Sequence, residues 1–260
     1  MSRIADAFKD HKAFIAFITV GDPDLETTKK IVQAAADNGA DLIELGIPFS
    51  DPTAEGPVIM EADNAALAAG ATTDKVLQLT KELRETITVP MVYMTYANVV
   101  FSYGTEKFAR KAEEAGIDGI ILPDVPYEEK DEFDAVFASH GMDLISMIAP
   151  TSENRIAMIA AEAKGFIYMV SSLGVTGTRS EITTDIQAMT GLVKSVTKVP
   201  CAVGFGISTP QQAADMAAVS DGAIVGSAII KIIAKHGRAA AGPVGEYVKS
   251  MADAVHALPR

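Results

Sequence analysis

Glu44 stands inside the apolar run Leu42-Ile43-Glu44-Leu45. An ionised, unpaired carboxylate in such a run costs on the order of several kcal/mol, so its pKa is expected to rise toward neutrality. A general acid or base at cellular pH needs that property, although a structural acid satisfied by backbone donors or water would show the same pattern. Two glycine clusters, Gly204-Phe205-Gly206 and Gly226-Ser227, each follow a short apolar run. Glycines let a backbone approach a ligand closely, and the N–H groups that open a following helix point at an anion. Either cluster alone reads as a tight turn. Together, at matched strand ends, they predict a phosphate pocket.

A second acid, Glu55, lies in Asp51-Pro52-Thr53-Ala54-Glu55-Gly56-Pro57. That loop is too rich in Pro and Gly for helix, and its composition alone reads Glu55 as an ordinary solvated acid. The segment Ser171–Gly177 is long enough to cover a pocket mouth, with Gly174 and Gly177 as hinges, or to serve as a plain connection. The four histidines, His11, His140, His236 and His256, all fall outside the strand-exit loops, so no His-based metal cluster is visible there and no metal is expected. No lysine lies late in a strand, where a Schiff-base nucleophile would need to be. Cys201 begins its strand and reads as core. Chemistry is therefore expected to rest on carboxylates, hydroxyls and backbone dipoles.

These residues need a scaffold, and the chain repeats itself about every 25 residues. Asn38-Gly39-Ala40-Asp41, Ala115-Gly116-Ile117-Asp118, His140-Gly141-Met142-Asp143 and Lys164-Gly165 each precede a short apolar run. Glycine suits the left-handed residue that ends a helix, and a run of four to six apolar residues after it reads as a strand buried on both faces. Strands are predicted at Ala13–Thr19, Leu42–Leu45, Met91–Thr95, Gly119–Leu122, Leu144–Ile148, Phe166–Val170, Cys201–Gly204 and Gly222–Val225. Apolar residues at three-to-four spacing predict helices over Leu25–Asp37, Asp74–Thr86, Glu106–Glu114, Glu128–Ser139, Glu153–Glu162, Asp185–Val196 and Pro210–Ala218. Alternating strands and helices mean parallel pairing with right-handed crossovers. An open doubly wound sheet is the alternative. Eight strands with no evident edge favour a single α/β domain over residues 1–260, a closed (β/α)8 TIM barrel with an extra N-terminal helix. In that fold the loops leaving the strands carry the chemistry.

The chain has 260 residues, 48% of them hydrophobic, and a formal net charge of −12. Such a field repels nucleic acid and anionic membranes, and it requires a local device to hold an anionic substrate. A single cysteine rules out a disulfide framework within the chain and suits a reducing compartment. No apolar run approaches a membrane span and the first residues lack a signal core, so a soluble, cytoplasmic protein is expected.

The motifs closely resemble those of the tryptophan synthase alpha chain family, the indole-3-glycerol-phosphate lyases. The matching stretches are Phe17–Pro23, Glu44–Pro52, Tyr96-Ala97-Asn98, Asp124-Val125-Pro126, Ser171–Gly177, Gly204–Ser208 and Gly226–Ile229, in family order across essentially the whole chain. The resemblance implies retro-aldol cleavage of indole-3-glycerol phosphate to indole and glyceraldehyde 3-phosphate, without metal or cofactor in this chain. It implies Glu44 as the acid/base residue and Glu55 as the second carboxylate, which receives the indole N–H. It implies Thr176 as the lid threonine, and a phosphate set of Gly177, Gly204, Phe205, Gly206, Gly226 and Ser227. Phe17, Met94, Ile121, Ile148, Tyr168 and Phe205 fall where the family lines its indole slot. One departure stands out: the family loop reads Ser-Asp-Pro-x-Ala-Asp-Gly-Pro, and Glu55 replaces its second Asp. The extra methylene moves the charge by about 1.5 Å, a shift that costs around a hundredfold where alignment is strict unless the loop compensates.

The resemblance further implies docking, through Asp51, Pro52, Asn98, Asp124 and Pro126, on a tryptophan synthase beta subunit that carries pyridoxal phosphate (PLP), in an alpha2beta2 assembly. Two other readings compete with the lyase. One is another phosphosugar isomerase or epimerase on the same barrel. The other is a phosphate-binding subunit that mainly activates its partner.

Overall fold

Short apolar runs that follow helix-stopping turns form strands here because both of their faces can be buried. The computed structural model describes residues 3–171, 185–204 and 206–260. Its strands are β1 (Ala13–Thr19), β2 (Leu42–Gly46), β3 (Met91–Met94), β4 (Gly119–Ile121), β5 (Asp143–Leu144), β6 (Ser146–Ile148), β7 (Ile167–Val170), β8 (Cys201–Gly204) and β9 (Gly222–Val225). All pair in parallel, in the order β5-β4-β3-β2-β1-β9-β8-β7-β6. The two ends of that order are consecutive in the chain and separated by Ile145 alone, whose N–H still reaches the Ile120 carbonyl at 2.8 Å. They are one interrupted strand. The barrel therefore closes on the eight strands that the sequence predicts, and the run Leu144–Ile148 is broken at Ile145.

The helices are α1 (Leu25–Asp37), α2 (Pro57–Ala68), α3 (Thr73–Leu83), α4 (Ala97–Tyr103), α5 (Thr105–Ala115), α6 (Asp131–Ser139), α7 (Glu153–Ala161), α8 (Ile186–Val196), α9 (Pro210–Ala218), α10 (Ser227–His236) and α11 (Ala241–His256). Four of them, α2, α4, α10 and α11, lie where periodicity assigned nothing. In α2 the apolar residues Val58, Ile59, Met60, Ala62, Ala65, Ala66 and Leu67 run around the whole cylinder, which blurs the amphipathic signal. The expected N-terminal helix is a 3-10 helix, Arg3–Phe8. Its Ile4 is buried against Gly119, where a Cβ would come within 3.1 Å of Ile4 Cδ1. This segment closes the barrel floor.

The recurring aspartate before a strand has a shared task. Asp41 accepts the Phe14 N–H at 2.7 Å, Asp118 the Met91 N–H at 3.0 Å and Asp221 the Cys201 N–H at 3.0 Å. Each carboxylate thus takes the first or second N–H of a neighbouring strand and sets the ladder's register at its N-terminal end. Asp118 carries most: Arg3 Nε reaches it at 2.6 Å and Arg84 Nη2 at 3.1 Å. Burial pulls the Arg84 guanidinium down to about 10, aided by Arg3 and opposed by Asp118. Removing the carboxylate would leave a buried cation unpaired, which costs roughly 3 to 5 kcal/mol. Asp118→Ala is expected to lower unfolding free energy by about that amount in urea titration, with little change in the slope.

Candidate functional site

Residues in register on neighbouring parallel strands point to the same face, and the face alternates along each strand. Phe17 is in register with Glu44, Glu44 with Val92, Gly46 with Met94, and Met94 with Ile121. On the other side Tyr168 is in register with Met147 and Ala202, and Val170 with Gly204. This set faces the lumen. Tyr168 stands on the wall opposite Glu44: burial raises its hydroxyl pKa well above the ordinary range, and the charges of Glu44 and then Glu55 push it further. Only groups sharing the interior act on one another across four ladder steps.

Glu44 is 0% exposed, and neither of its carboxylate oxygens has a hydrogen-bond partner among the described residues. Desolvation alone raises it to about 8. A neighbour shares this state: Thr19, in register with Gly46, leaves its buried Oγ1 without a partner. Buried polar atoms without partners are rare, and these three aim into one lumen. Space above them is kept by glycine. A Cβ on Gly46 would lie 2.7 Å from Phe17 Cζ, and one on Gly204 would lie 2.5 Å from the Tyr168 hydroxyl oxygen. Both rings can lie flat across the strand tips only because those positions carry no side chain.

Glu55 is buried, not solvated as its loop's composition alone reads, because α2 and Tyr96 enclose it. The Tyr96 hydroxyl donates to Glu55 Oε2 and accepts the Ala54 N–H at 2.9 Å. The Tyr96 ring packs on Phe49, with centroids 5.2 Å apart, and the Phe49 N–H is held by the Asp63 carboxylate on α2. Burial raises Glu55 to about 8, with Asp63 and Asp124 adding to it against a backbone hydrogen bond. Burial likewise raises Asp63 to about 7, with Asp22 adding and the Phe49 N–H opposing, and burial raises Asp22 to about 6. Asp63, Asp22, Tyr96 and Thr19 escape a reading of roles by sequence. The signal available for Asp63 was an acid flanked by the alanines and apolar residues of Pro57–Ala68.

At the rim expected to hold phosphate, Gly204 closes β8, Gly206 takes φ +80° and Gly226 caps α10, whose first residue is the buried Ser227. The first N–H groups of a helix have no acceptor inside it, and here they open toward the same rim. Thr176, Gly177 and Phe205 lie outside the described residues. Phe17, Met94, Ile121 and Tyr168 are on the lumen face. Ile148 is not: it is in register with Met169 and packs in the outer layer with Ile156 and Ile159 of α7. The period of two gives its place on the lumen face to Met147. A cavity of about 370 Å³ opens beside α6 and α7, bounded by Tyr127, Asp134, Met147, Arg155 and Lys164, and reaches the rim at Ala54 and Val170. Asp51, Asn98, Asp124 and Pro126 are exposed and Pro52 is half-buried on the same face. Asp124 accepts the Ala97 N–H at 3.0 Å, joining two of those loops. Cys201 is buried, and burial raises its thiol to about 12, which leaves it inert.

A family model described as tryptophan synthase alpha chain matches residues 4–256. The chain is 47% identical over 257 residues to the tryptophan synthase alpha chain of Lacticaseibacillus casei, covering 99% of this chain and 97% of that one. It is 44% identical to the alpha chain of Geobacter sulfurreducens over 98% of this chain and 99% of that one. Among solved structures, tryptophan synthase subunit alpha from Legionella pneumophila superposes with a TM-score of 0.90 at 38% identity, covering 99% of this chain and 100% of that one.

The raised acids also link pH to stability. A folded carboxyl pKa above its unfolded value means that the native state binds more protons, so stability falls as pH rises. For Glu44 the window runs from the ordinary 4.5 to about 8. Glu44→Gln is expected to match the parent near pH 4 and to be more stable at pH 8, by on the order of a few kcal/mol. Urea titration at both pH values checks this, and equal stability at pH 8 would remove the desolvated acid.

Proposed function

The chain belongs to the tryptophan synthase alpha chain family, and from that premise we propose how its residues perform the family's reaction. The protein is a carbon–carbon lyase that cleaves indole-3-glycerol phosphate, which decides against an isomerase or epimerase on the same barrel. Glu44, largely protonated below pH 8, gives its proton to C3 of the indole ring. The ring then becomes the electron sink. The carboxylate left in the dry lumen takes the proton of the adjacent side-chain hydroxyl, the carbon–carbon bond breaks, and its electron pair returns to the ring. Indole and the aldehyde leave, with Glu44 again protonated.

Glu55 receives the indole N–H. Positive charge developing on that nitrogen favours the ionised form and draws the acid's pKa down from its resting value near 8. Tyr96 donates to the carboxylate and keeps it in place, so the longer Glu arm ends on a fixed donor. Phe17, Met94, Ile121, Met147 and Tyr168 grip the flat ring. The phosphate sits on the backbone amides of Gly206 and Ser227, a local device that suits a chain of net charge −12. Gly177, Phe205 and the lid residue Thr176 complete the site in this reading.

The reaction needs no cofactor from this chain. The exposed loop residues Asp51, Pro52, Asn98, Asp124 and Pro126 dock a beta subunit that carries PLP, in an alpha2beta2 assembly in the cytoplasm. Phe101, one turn beyond Asn98 on α4, supports that surface, since it leaves 72% of a large apolar side chain exposed. Among the described residues no helix is long and apolar enough to cross a membrane.

The observation that carries the proposal is Glu44, fully buried, without a partner among the described residues and facing the lumen. Glu44→Gln is expected to lower indole release at least a hundredfold while leaving glyceraldehyde 3-phosphate affinity unchanged, and equal loss of both would end the acid/base assignment. In the parent, single-turnover indole release is expected to fall above about pH 8 as Glu44 ionises. Tyr96→Phe is expected to lower kcat about tenfold with KM little changed. An unchanged kcat would show that Glu55 is held by other means. Turnover with and without a beta subunit tests the rival role, a chain that mainly activates its partner.

A further inference from the structure

The two ends of the chain meet beneath the barrel, at the face opposite the phosphate rim. His11 precedes β1, Asp41 opens β2 and His256 ends α11, and one donor atom from each lies within 4.8 Å of the others. His256 Nε2 is 2.7 Å from Asp41 Oδ2, and His11 Nε2 is 3.7 Å from Asp41 Oδ1. The imidazole rings stack with centroids 4.0 Å apart.

Two details separate this cluster from an ordinary ion pair. His11 Nδ1 lies 3.0 Å from the Lys12 carbonyl, an oxygen that only accepts, so Nδ1 carries a proton. In neutral imidazole that fixes the lone pair on Nε2, the arrangement found around metal-bound histidines. That lone pair then faces a carboxylate oxygen at 3.7 Å, two acceptors with no hydrogen between them. A cation between them resolves the conflict. Asp41, for its part, is oriented by the Phe14 N–H, which donates to Oδ2 at 2.7 Å and leaves Oδ1 available. Tetrahedral zinc, with bonds near 2.0 to 2.1 Å, sets its ligand atoms about 3.3 Å apart. The 3.7 Å between His11 Nε2 and Asp41 Oδ1 is close to that value, and His256 Nε2, 2.7 Å from the second oxygen Oδ2, has to turn from it toward Oδ1 to share the ion.

We propose that His11, Asp41 and His256 form a binding site for a divalent first-row transition metal, zinc foremost, that staples both ends of the chain to the start of β2. Two imidazoles and one carboxylate exclude magnesium and calcium as preferred ions, since those take oxygen ligands. Half-exposed His11 gives the ion a way in, and water completes its coordination. The site lies on the barrel face away from the lyase machinery, so its contribution is to the fold, through mass action on the native state.

Untagged full-length protein, freed of metal with a chelator, is titrated with ZnCl2 at pH 7.5 by calorimetry. One equivalent is expected to bind with micromolar or tighter affinity. His11→Ala and His256→Ala are each expected to weaken it at least tenfold, and His140→Ala, at a separate surface cluster, to leave it unchanged. Co2+ is expected to give the visible bands of a low-coordinate site, lost in the same variants. Saturating Zn2+ is expected to raise the unfolding midpoint by about 3 °C or more in the parent and not in the variants. Indole release is expected to stay the same with and without the ion. Absence of stoichiometric binding, or binding indifferent to both histidine substitutions, would overturn the site.

Discussion

A fully buried carboxyl group, without a partner among the described residues, sets the terms for everything else in this molecule. Eight parallel strands surround Glu44, which is 0% exposed, and buried Ile4 packs against Gly119 at the floor. Desolvation therefore falls on the acid undiminished and keeps it protonated near neutrality. The same closure explains the glycines at the strand tips. A lumen lined by Phe17, Met94, Ile121 and Tyr168 would be full if Gly46 and Gly204 carried side chains, so room for a ligand exists only where Cβ atoms are absent.

The second acid is controlled differently. Glu55 lies on a loop and owes its burial to α2 packing behind it and to Tyr96 in front. Asp63 links the two devices: it holds the Phe49 backbone, on whose ring Tyr96 packs, and its charge raises Glu55. Asp22 stands behind Asp63 in turn. Carboxylates stacked this way in a poorly solvated rim cannot all ionise at once, so cationic character in a bound ring is favoured there. The departure from the family's shorter Asp is met by a fixed phenol at the end of the longer arm.

Opposite this rim, the strand starts are aligned by Asp41, Asp118 and Asp221, each accepting the first or second N–H of a neighbouring strand. The division matches the general rule for this fold, with stability at one end and chemistry at the other. It also frees the exit loops to depart from regular structure, since they do not carry the register.

Local chemistry made a large part of this legible from the sequence. Gly-x-Asp ahead of an apolar run marks a helix stop and a strand start at Gly39, Gly116 and Gly141, and short apolar runs elsewhere, with helical periodicity between them, placed the other strands and most helices. A glutamate among Leu42, Ile43 and Leu45 announces its own desolvation. The order of the motifs carried the family. Tertiary structure alone decided what depends on contacts between distant residues. Glu55 reads as a solvated acid until α2, hidden by an all-round apolar surface, and Tyr96 from another loop enclose it. Ile148 and Met147 are equally apolar, and only pairing with β7 says which faces the lumen, because one step along a strand reverses the face. His11 and His256 sit at opposite ends of the chain, and no spacing rule brings them together on Asp41. The chain must first close its barrel and return α11 to the strand starts.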